Sequence, residues 1–431
     1  MRSRLEKVAL IVLLSVLLVS GAGFPAAAQN GAALVRVGLA QGQAELCFDF
    51  SAGGYLFDLA RETPEQLALP GEQVSVAALD GMIFLNNLPV GPGPIRIIPD
   101  AGLLRWNNRS YRGEFLITAG GGRLSLINRL PVEDYLRGVV PREVYPSWPL
   151  ASLKAQAVAA RTYAAASLGR HGAEGFDLCA TTHCQAYGGV TVEHPNTDRA
   201  VAETAGQVLT YDGKTISAFF YDSSGGLTAD PAKVWTVSLP YLKEVYDWDF
   251  NSPHAQWTRS FSWPELQAMA ARSYPQLGTL VQIRPLEFGK DGRVLKLALK
   301  GTLGEQTLSG EQFRAQTGIP SANIKIAVVY GPEPAIALWW VHGAVFPEAI
   351  VRSPELPGFG AEVLNPPWDL PDPWEWLRDK EPQLLVIKGS GWGHGVGLSQ
   401  WGAKGMAERG YNERQILEYF YPGATITPLD Q

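Results

Sequence analysis

Cysteine is scarce in this 431-residue chain: there are three, alongside six histidines and four methionines. Three cysteines cannot build a disulfide-stapled scaffold, so an apolar core must carry the fold. An excess of cations is missing too. Lys and Arg total 36 against 42 Asp and Glu, a net charge of −6. That balance supplies no basic stripe for a phosphate backbone and removes nucleic acid from the expected partners. Beyond the N-terminus no run is long and apolar enough to span a bilayer. The chain holds no G-x-S-x-G elbow, no H-E-x-x-H pair and no internal repeat, which sets aside two common hydrolase frameworks.

What is present suits a folded body. Hydrophobic residues make up 46% of the chain, and 46 glycines with 31 prolines predict many strands and turns. Residues 1–28 read as an export signal: Arg2, Arg4 and Lys7 precede an apolar run from Val8 to Val19, and Ala26, Ala27 and Ala28 offer a cleavage site. An uncleaved anchor is the alternative, with Gly21, Gly23 and Pro25 breaking the run in favour of cleavage. Either way the body is expected outside the cytoplasmic membrane, secreted or N-terminally anchored, and without 1–28 its net charge is −8.

Residues 31–125 alternate in the manner of short strands, as in VRVGLA, AELCFDF and EFLITAG, and predict an N-terminal β-rich module. Cys47 lies there and is expected to be buried. At Leu130-Pro131 the character changes, and a helical turn over PVEDYLRGVV leads to Glu143. Pro149 to Leu168 carries eight alanines and predicts the longest helix, with Ser147 as N-cap. Asp212-Gly213 marks a hairpin. Residues 331–381, rich in Pro and Trp with little periodicity, read as a long loop or insertion packed on the surface, or equally as a stretch that holds a ligand groove. Asn412 with Gln415 forms a capping-box pattern. The fold class expected is α+β: a β-rich body around one long Ala-rich helix, with the N-terminal β-rich module ahead of a domain at 126–428.

Several residues suggest chemistry. Glu143 lies between Pro141 and Pro146 beside Val140, Val144, Tyr145 and Trp148. Desolvation there raises a carboxyl pKa, as a general acid requires; a surface Glu in a Pro-bracketed loop fits the same composition. Lys154 and Arg161, two turns apart, share a helix face that suits either a ligand or solvent; Gln156 and Tyr163 are weaker candidates. His171, Cys179, His183 and Cys184 form H-x7-C-x3-H-C. That set is competent for a structural zinc, and equally for a Cys179–Cys184 disulfide or for reduced thiols. Ser223 and Ser224 precede Gly225-Gly226 in a loop suited to sugar hydroxyls or to a simple turn. Trp392 and His394 alternate with glycines from 389 to 397.

Four stretches, LPVEDYLRGVVPREVYPSWPLASLKAQAVAARTYA, DLCATTHCQAYGG, AFFYDSSGGLTAD and GSGWGHGVGLSQWGAKGMAERGYNERQILEYFYPG, occur in this order. Together they resemble the SpoIID/LytB family over roughly residues 125–428. The resemblance implies a lytic transglycosylase that cleaves MurNAc–GlcNAc glycan strands of peptidoglycan without water, in wall remodelling or sporulation. The alternative within the family is a non-catalytic enhancer of a wall amidase, and a membrane partner is a further expectation. It implies Glu143 as acid and base, Lys154 and Arg161 near the active site, and Tyr221, Ser223, Ser224, Trp392, His394 and Gln400 along the substrate. Many members carry His where Tyr221 stands. Catalysis requires no cofactor on this reading, and some members carry zinc at the cysteines and histidines.

Overall fold

The computed structural model describes residues 33–58, 64–235, 237–331, 336–341, 344–349 and 381–429. The expected export signal, residues 1–28, and residues 350–380 of the Pro/Trp-rich stretch lie outside the described residues. Among the described residues the architecture is mixed, with several sheets and eight α-helices. None of those helices is long and apolar enough to cross a membrane.

The N-terminal strands form two sheets, of seven and six strands, facing each other across one core. Alternation decides what enters it. In Glu45–Phe50 the side chains of Leu46, Phe48 and Phe50 point inward, and Phe48 meets Phe115 of the facing sheet edge-on at 5.7 Å. Cys47 sits between two inward residues and so points outward; it is exposed, contrary to expectation.

No break separates this module from the helical region after it. Strand Arg123–Pro131 pairs with Leu34–Gln43 and runs directly into helix α1, Val132–Glu143. Leu178–Cys179 returns from beyond the helices and adds to the sheet edge in parallel, Val37 opposite Leu178. The core therefore continues from Val35 and Phe115 through Leu136 and Val140 to Leu153 and Ala157. Buried Asn128 pins the junction: its amide nitrogen donates to the carbonyls of Arg112 and Glu114, and its oxygen accepts from Tyr187.

The alanine-rich segment is helix α2, Leu150–Ala166. It begins after Pro149 with no side-chain cap, so Ser147 is not the N-cap; the proline ring keeps Trp148 out of the helical region. Alanines on several sides admit close neighbours, and most of the helix is buried. It packs against α1, against α3 (Pro195–Glu203) and against strand Gln207–Tyr211. That strand turns at Asp212-Gly213, both at positive φ, as the hairpin signal predicts. After the short α4, Pro231–Val234, a second core forms around α5 (Trp263–Ser273), α6 (Gly310–Thr317) and their strands. Strands Ile336–Val341 and Ala344–Ala349 extend its sheet, so part of the expected loop is regular structure. Helices α7, Gln400–Ala407, and α8, Glu413–Phe420, return to α2. The Asn412–Gln415 capping box is present.

Arg161 ties these elements together. Its side chain has no exposure, and it donates to both oxygens of Glu133 at 2.8 and 2.7 Å and to the carbonyls of Val201 and Gln207 at 3.2 Å each. Deleting the acid would strand a buried guanidinium. Glu133→Ala is expected to cost about 2–3 kcal/mol in urea denaturation, moderated because the acid is one-third exposed. A loss below about 0.5 kcal/mol would show that the carbonyls alone suffice for Arg161.

Candidate active site

Glu143 is the last residue of α1, and its carboxyl is gripped from two distant parts of the chain. One oxygen accepts the Ala186 N–H at 3.0 Å. The other accepts the side-chain amide of Gln400, the first residue of α7, at 3.3 Å. Burial raises the carboxyl above the usual carboxylate range, against the two hydrogen bonds and, last, the adjacent Arg142. Aromatic rings stand beside it. Trp148 packs edge-on against Trp401 at 4.9 Å, Tyr145 lies 5.6 Å from Trp148, and Tyr145 is 61% exposed. A protonatable carboxyl two residues from the exposed Tyr145 ring can donate a proton to a sugar oxygen while that ring carries a sugar face.

The opposite wall comes from the Ser-Gly loop and the glycine-rich segment. Phe220–Tyr221 pairs in parallel with Leu398–Ser399, and Trp392 bridges to Ser223. Residues 391–397 form a loop, not a strand with one bare face. Gly391 shows why glycine is needed: at φ +76 its added Cβ would meet the Ser223 carbonyl at 2.6 Å. Both serine side chains turn inward. Ser223 is buried and donates to Asp222 at 2.9 Å. Ser224 is buried and donates to Asp247 at 2.5 Å; burial, then the charge of Asp249, pushes the Asp247 carboxyl up to about 7. These hydroxyls serve the loop before any ligand.

Tyr221 is likewise buried, and His394 is enclosed by Phe219, Tyr221 and Trp235. Burial, then Arg314 and Arg293, lowers its pKa to about 3, and its Nδ1 accepts the Val396 N–H. These surroundings favour the neutral imidazole. Trp392 is 45% exposed and lies against His254 at 4.6 Å.

Lys154 and Arg161 share a helix face as their spacing predicts, but that face is covered. Lys154 pairs with Glu203 at 2.6 Å, and Arg161 pairs with Glu133, ten residues from Glu143 and so about 15 Å away along α1. Gln156 is buried, and the Tyr163 hydroxyl accepts from Arg170. Sequence reasoning misses Asp222 and Ala186. Ala186 contributes only its backbone N–H, which any residue but proline offers, so nothing in the sequence marks it. Asp222 carries one signal, an acid inside the AFFYDSSGGLTAD stretch.

His171, Cys179, His183 and Cys184 converge. One ligand atom from each lies within 4.8 Å of all the others, a spread that closes readily around a tetrahedral ion with bonds of about 2.0–2.3 Å. His171 Nε2 is 3.3 Å from Cys184 Sγ, while its Nδ1 contacts Glu174 at 2.8 Å, the carboxylate support usual behind a ligating histidine. The two cysteines are not joined in a disulfide. Burial opposes ionisation of Cys179, but the Thr181 hydroxyl and N–H, then His183 and Cys184, outweigh it and bring the thiol down to about 6. Burial and the neighbouring Cys179 take Cys184 up to about 11. The donor set fits a structural zinc with no open position.

A model of the family described as "Stage II sporulation protein" matches residues 120–211, which contain Glu143, α2 and the cysteine–histidine cluster. The chain is 30% identical over 321 residues to stage II sporulation protein D of Bacillus amyloliquefaciens, covering 70% of this chain and 76% of that protein. It is 30% identical over 303 residues to the amidase enhancer of Bacillus subtilis (strain 168), covering 68% of this chain and 40% of the enhancer. An uncharacterised protein of Brachyspira hyodysenteriae (strain ATCC 49526 / WA1) is 27% identical over 329 residues, covering 75% of this chain and 74% of that protein. With its acid-bearing helix, Ser-Gly loop and glycine-rich segment brought together through Gln400 and the Phe220–Tyr221 pairing, the chain belongs to the SpoIID/LytB family, that of stage II sporulation protein D and the amidase enhancer.

Proposed function

We propose that the protein is exported and cleaves peptidoglycan glycan strands as a lytic transglycosylase, with Glu143 as acid and then base. The observation that carries this reading is the Glu143 carboxyl itself, desolvated, held by Ala186 and Gln400, and flanked by Tyr145, Trp148 and Trp401. In the first step the Glu143 proton passes to the oxygen bridging MurNAc and GlcNAc, and the bond from C1 to that oxygen breaks with its electron pair on the oxygen. The muramoyl C6 hydroxyl oxygen then bonds to C1 and returns its proton to Glu143. Because the nucleophile belongs to the same sugar, proximity replaces an activated water, and a 1,6-anhydro end results.

The name of one relative supports a second reading, a wall-bound partner that stimulates an amidase without cutting glycan itself. Mass spectrometry of products from intact and peptide-free peptidoglycan separates the two. Anhydro-muramoyl ends made by the wild type and reduced about 10³-fold in Glu143→Gln are expected. No glycan product, together with faster stem-peptide release when an amidase is added, would establish the enhancer.

The acid step needs protonated Glu143, so the rate falls as pH rises through its raised pKa. Gln400 favours the carboxylate; Gln400→Ala is therefore expected to move the alkaline limb of kcat/KM upward, while kcat drops. A limb that stays put or moves down would remove Gln400 from the control of Glu143.

We infer also that His171, Cys179, His183 and Cys184 hold one structural zinc. Bound there, the ion would brace the turn that ends two residues before Ala186, whose N–H holds Glu143. Elemental analysis of the purified chain is expected to give about one zinc per molecule, and Cys184→Ser to lose it and lower Tm by several degrees. A metal-free wild type with the same Tm before and after added zinc would rule the site out.

A further inference from the structure

We propose that Asp222 is a second carboxyl of this cleft, supporting the positive charge that develops at C1 while Glu143 handles the proton. The proposal rests on the glycan-cleaving reading above, which needs only one acid.

The strand pairing sets the position. Tyr221 lies opposite Ser399, so Asp222 and Gln400 leave the two paired chains side by side. The Trp401 N–H extends the pairing to the Asp222 carbonyl at 3.0 Å. The first turn of α7 thus reaches both residues: the Gln400 amide holds the Glu143 carboxyl at 3.3 Å, and the Trp401 N–H holds the Asp222 backbone. Trp401 is also the ring that meets Trp148 and Tyr145 beside Glu143.

The surroundings of Asp222 do not explain it as a structural ion. It is half-buried, and no Lys or Arg forms an ion pair with it among the described residues. The hydrogen bond to its carboxyl comes from the Ser223 hydroxyl at 2.9 Å, which itself accepts from Ser252 at 3.1 Å. Burial raises its carboxyl; Ser223 and then the positive influence of His254 oppose this. Compare Arg161, where a buried charge is met by a full counter-charge. An acid held by a neutral hydroxyl, and set level with the residue whose amide holds Glu143, is suited to a cation that exists only during reaction.

The chemistry gives it such a partner. As the bond from C1 to the bridging oxygen breaks, C1 and the ring oxygen share a positive charge. A fixed carboxylate stabilises that charge by its field, which counts most where water is excluded. Attack by the C6 hydroxyl then discharges the cation and the proton returns to Glu143. Asp222 makes no bond and exchanges no proton over the cycle.

The test uses the full chain on peptide-free glycan strands, with Asp222→Asn, Asp222→Ala and Glu143→Gln. Asparagine keeps the shape and still accepts from Ser223, so it removes charge while leaving the backbone contact that positions Trp401. Expected is a drop in kcat of about 10²-fold for Asp222→Asn, with KM within about threefold and Tm unchanged. Wild-type kcat in Asp222→Asn, whatever Asp222→Ala does, overturns the proposal and leaves Asp222 as a support for Trp401. Reducing-end products that disappear in Asp222→Asn also overturn it, making Asp222 a base for water.

A binding comparison stands apart from turnover. In the Glu143→Gln background, calorimetry with a cationic iminosugar analogue of GlcNAc is expected to show affinity about tenfold above that for neutral tri-GlcNAc, a preference lost with Asp222→Asn. No preference overturns the Asp222 proposal. Absence of glycan products from the wild type with the preference intact overturns the transglycosylase reading instead, so the two failures are distinguishable.

Discussion

Arg161 is the constraint around which the helical half is arranged. A guanidinium removed from water must find acceptors for its donors, and here they come from Glu133 at the start of α1, Val201 in α3 and Gln207 in the hairpin strand. Helix α2 brings the guanidinium to them because its alanines let neighbouring backbones approach. One buried cation thereby fixes the near end of α1. The far end of that helix, stiffened by its own backbone hydrogen bonds, delivers Glu143 to the cleft.

At that far end the physics reverses. Arg161 is paired with a full opposite charge, whereas Glu143 is met only by neutral donors, the Ala186 N–H and the Gln400 amide. Two dipoles hold a carboxyl in place without fully offsetting the cost of its ionisation, so burial dominates and the proton stays longer. The donors belong to segments 43 and 257 residues away. The second is delivered by a loop whose glycines accept both positive φ and the close approach of Ser223 and Ser224. Scaffold and site thus divide the work: charge pairing sets position, and its absence sets reactivity.

Local patterns in the sequence are legible where the cause is local. Alternation in Glu45–Phe50, the Asp212-Gly213 turn, the Asn412–Gln415 capping box and the alanine run each act within a few residues, and each appears where the pattern lies. Cys47, Ser147 and the strands Ile336–Val341 and Ala344–Ala349 depart from expectation because a neighbour outranks the local signal: the inward residues either side of Cys47, the ring of Pro149, and the sheet edge at Ile324–Gly331. The cation stripe is one face, as its spacing says. What covers it is invisible in the sequence, since Glu133, Glu203 and Gln207 reach it only through folding.

The sequence by itself determined the family, the apolar and aromatic neighbours of Glu143, and the close spacing of His171, Cys179, His183 and Cys184, because residue types and short spacings carry those directly. Tertiary structure alone decided which groups face the cleft. It put Gln400 and Ala186 on Glu143, turned Ser223 and Ser224 toward carboxyls, closed His394 among rings and set Asp222 beside Gln400. The reason is that desolvation and hydrogen-bond satisfaction depend on what lies within a few ångströms, and chain positions hundreds of residues apart supply it.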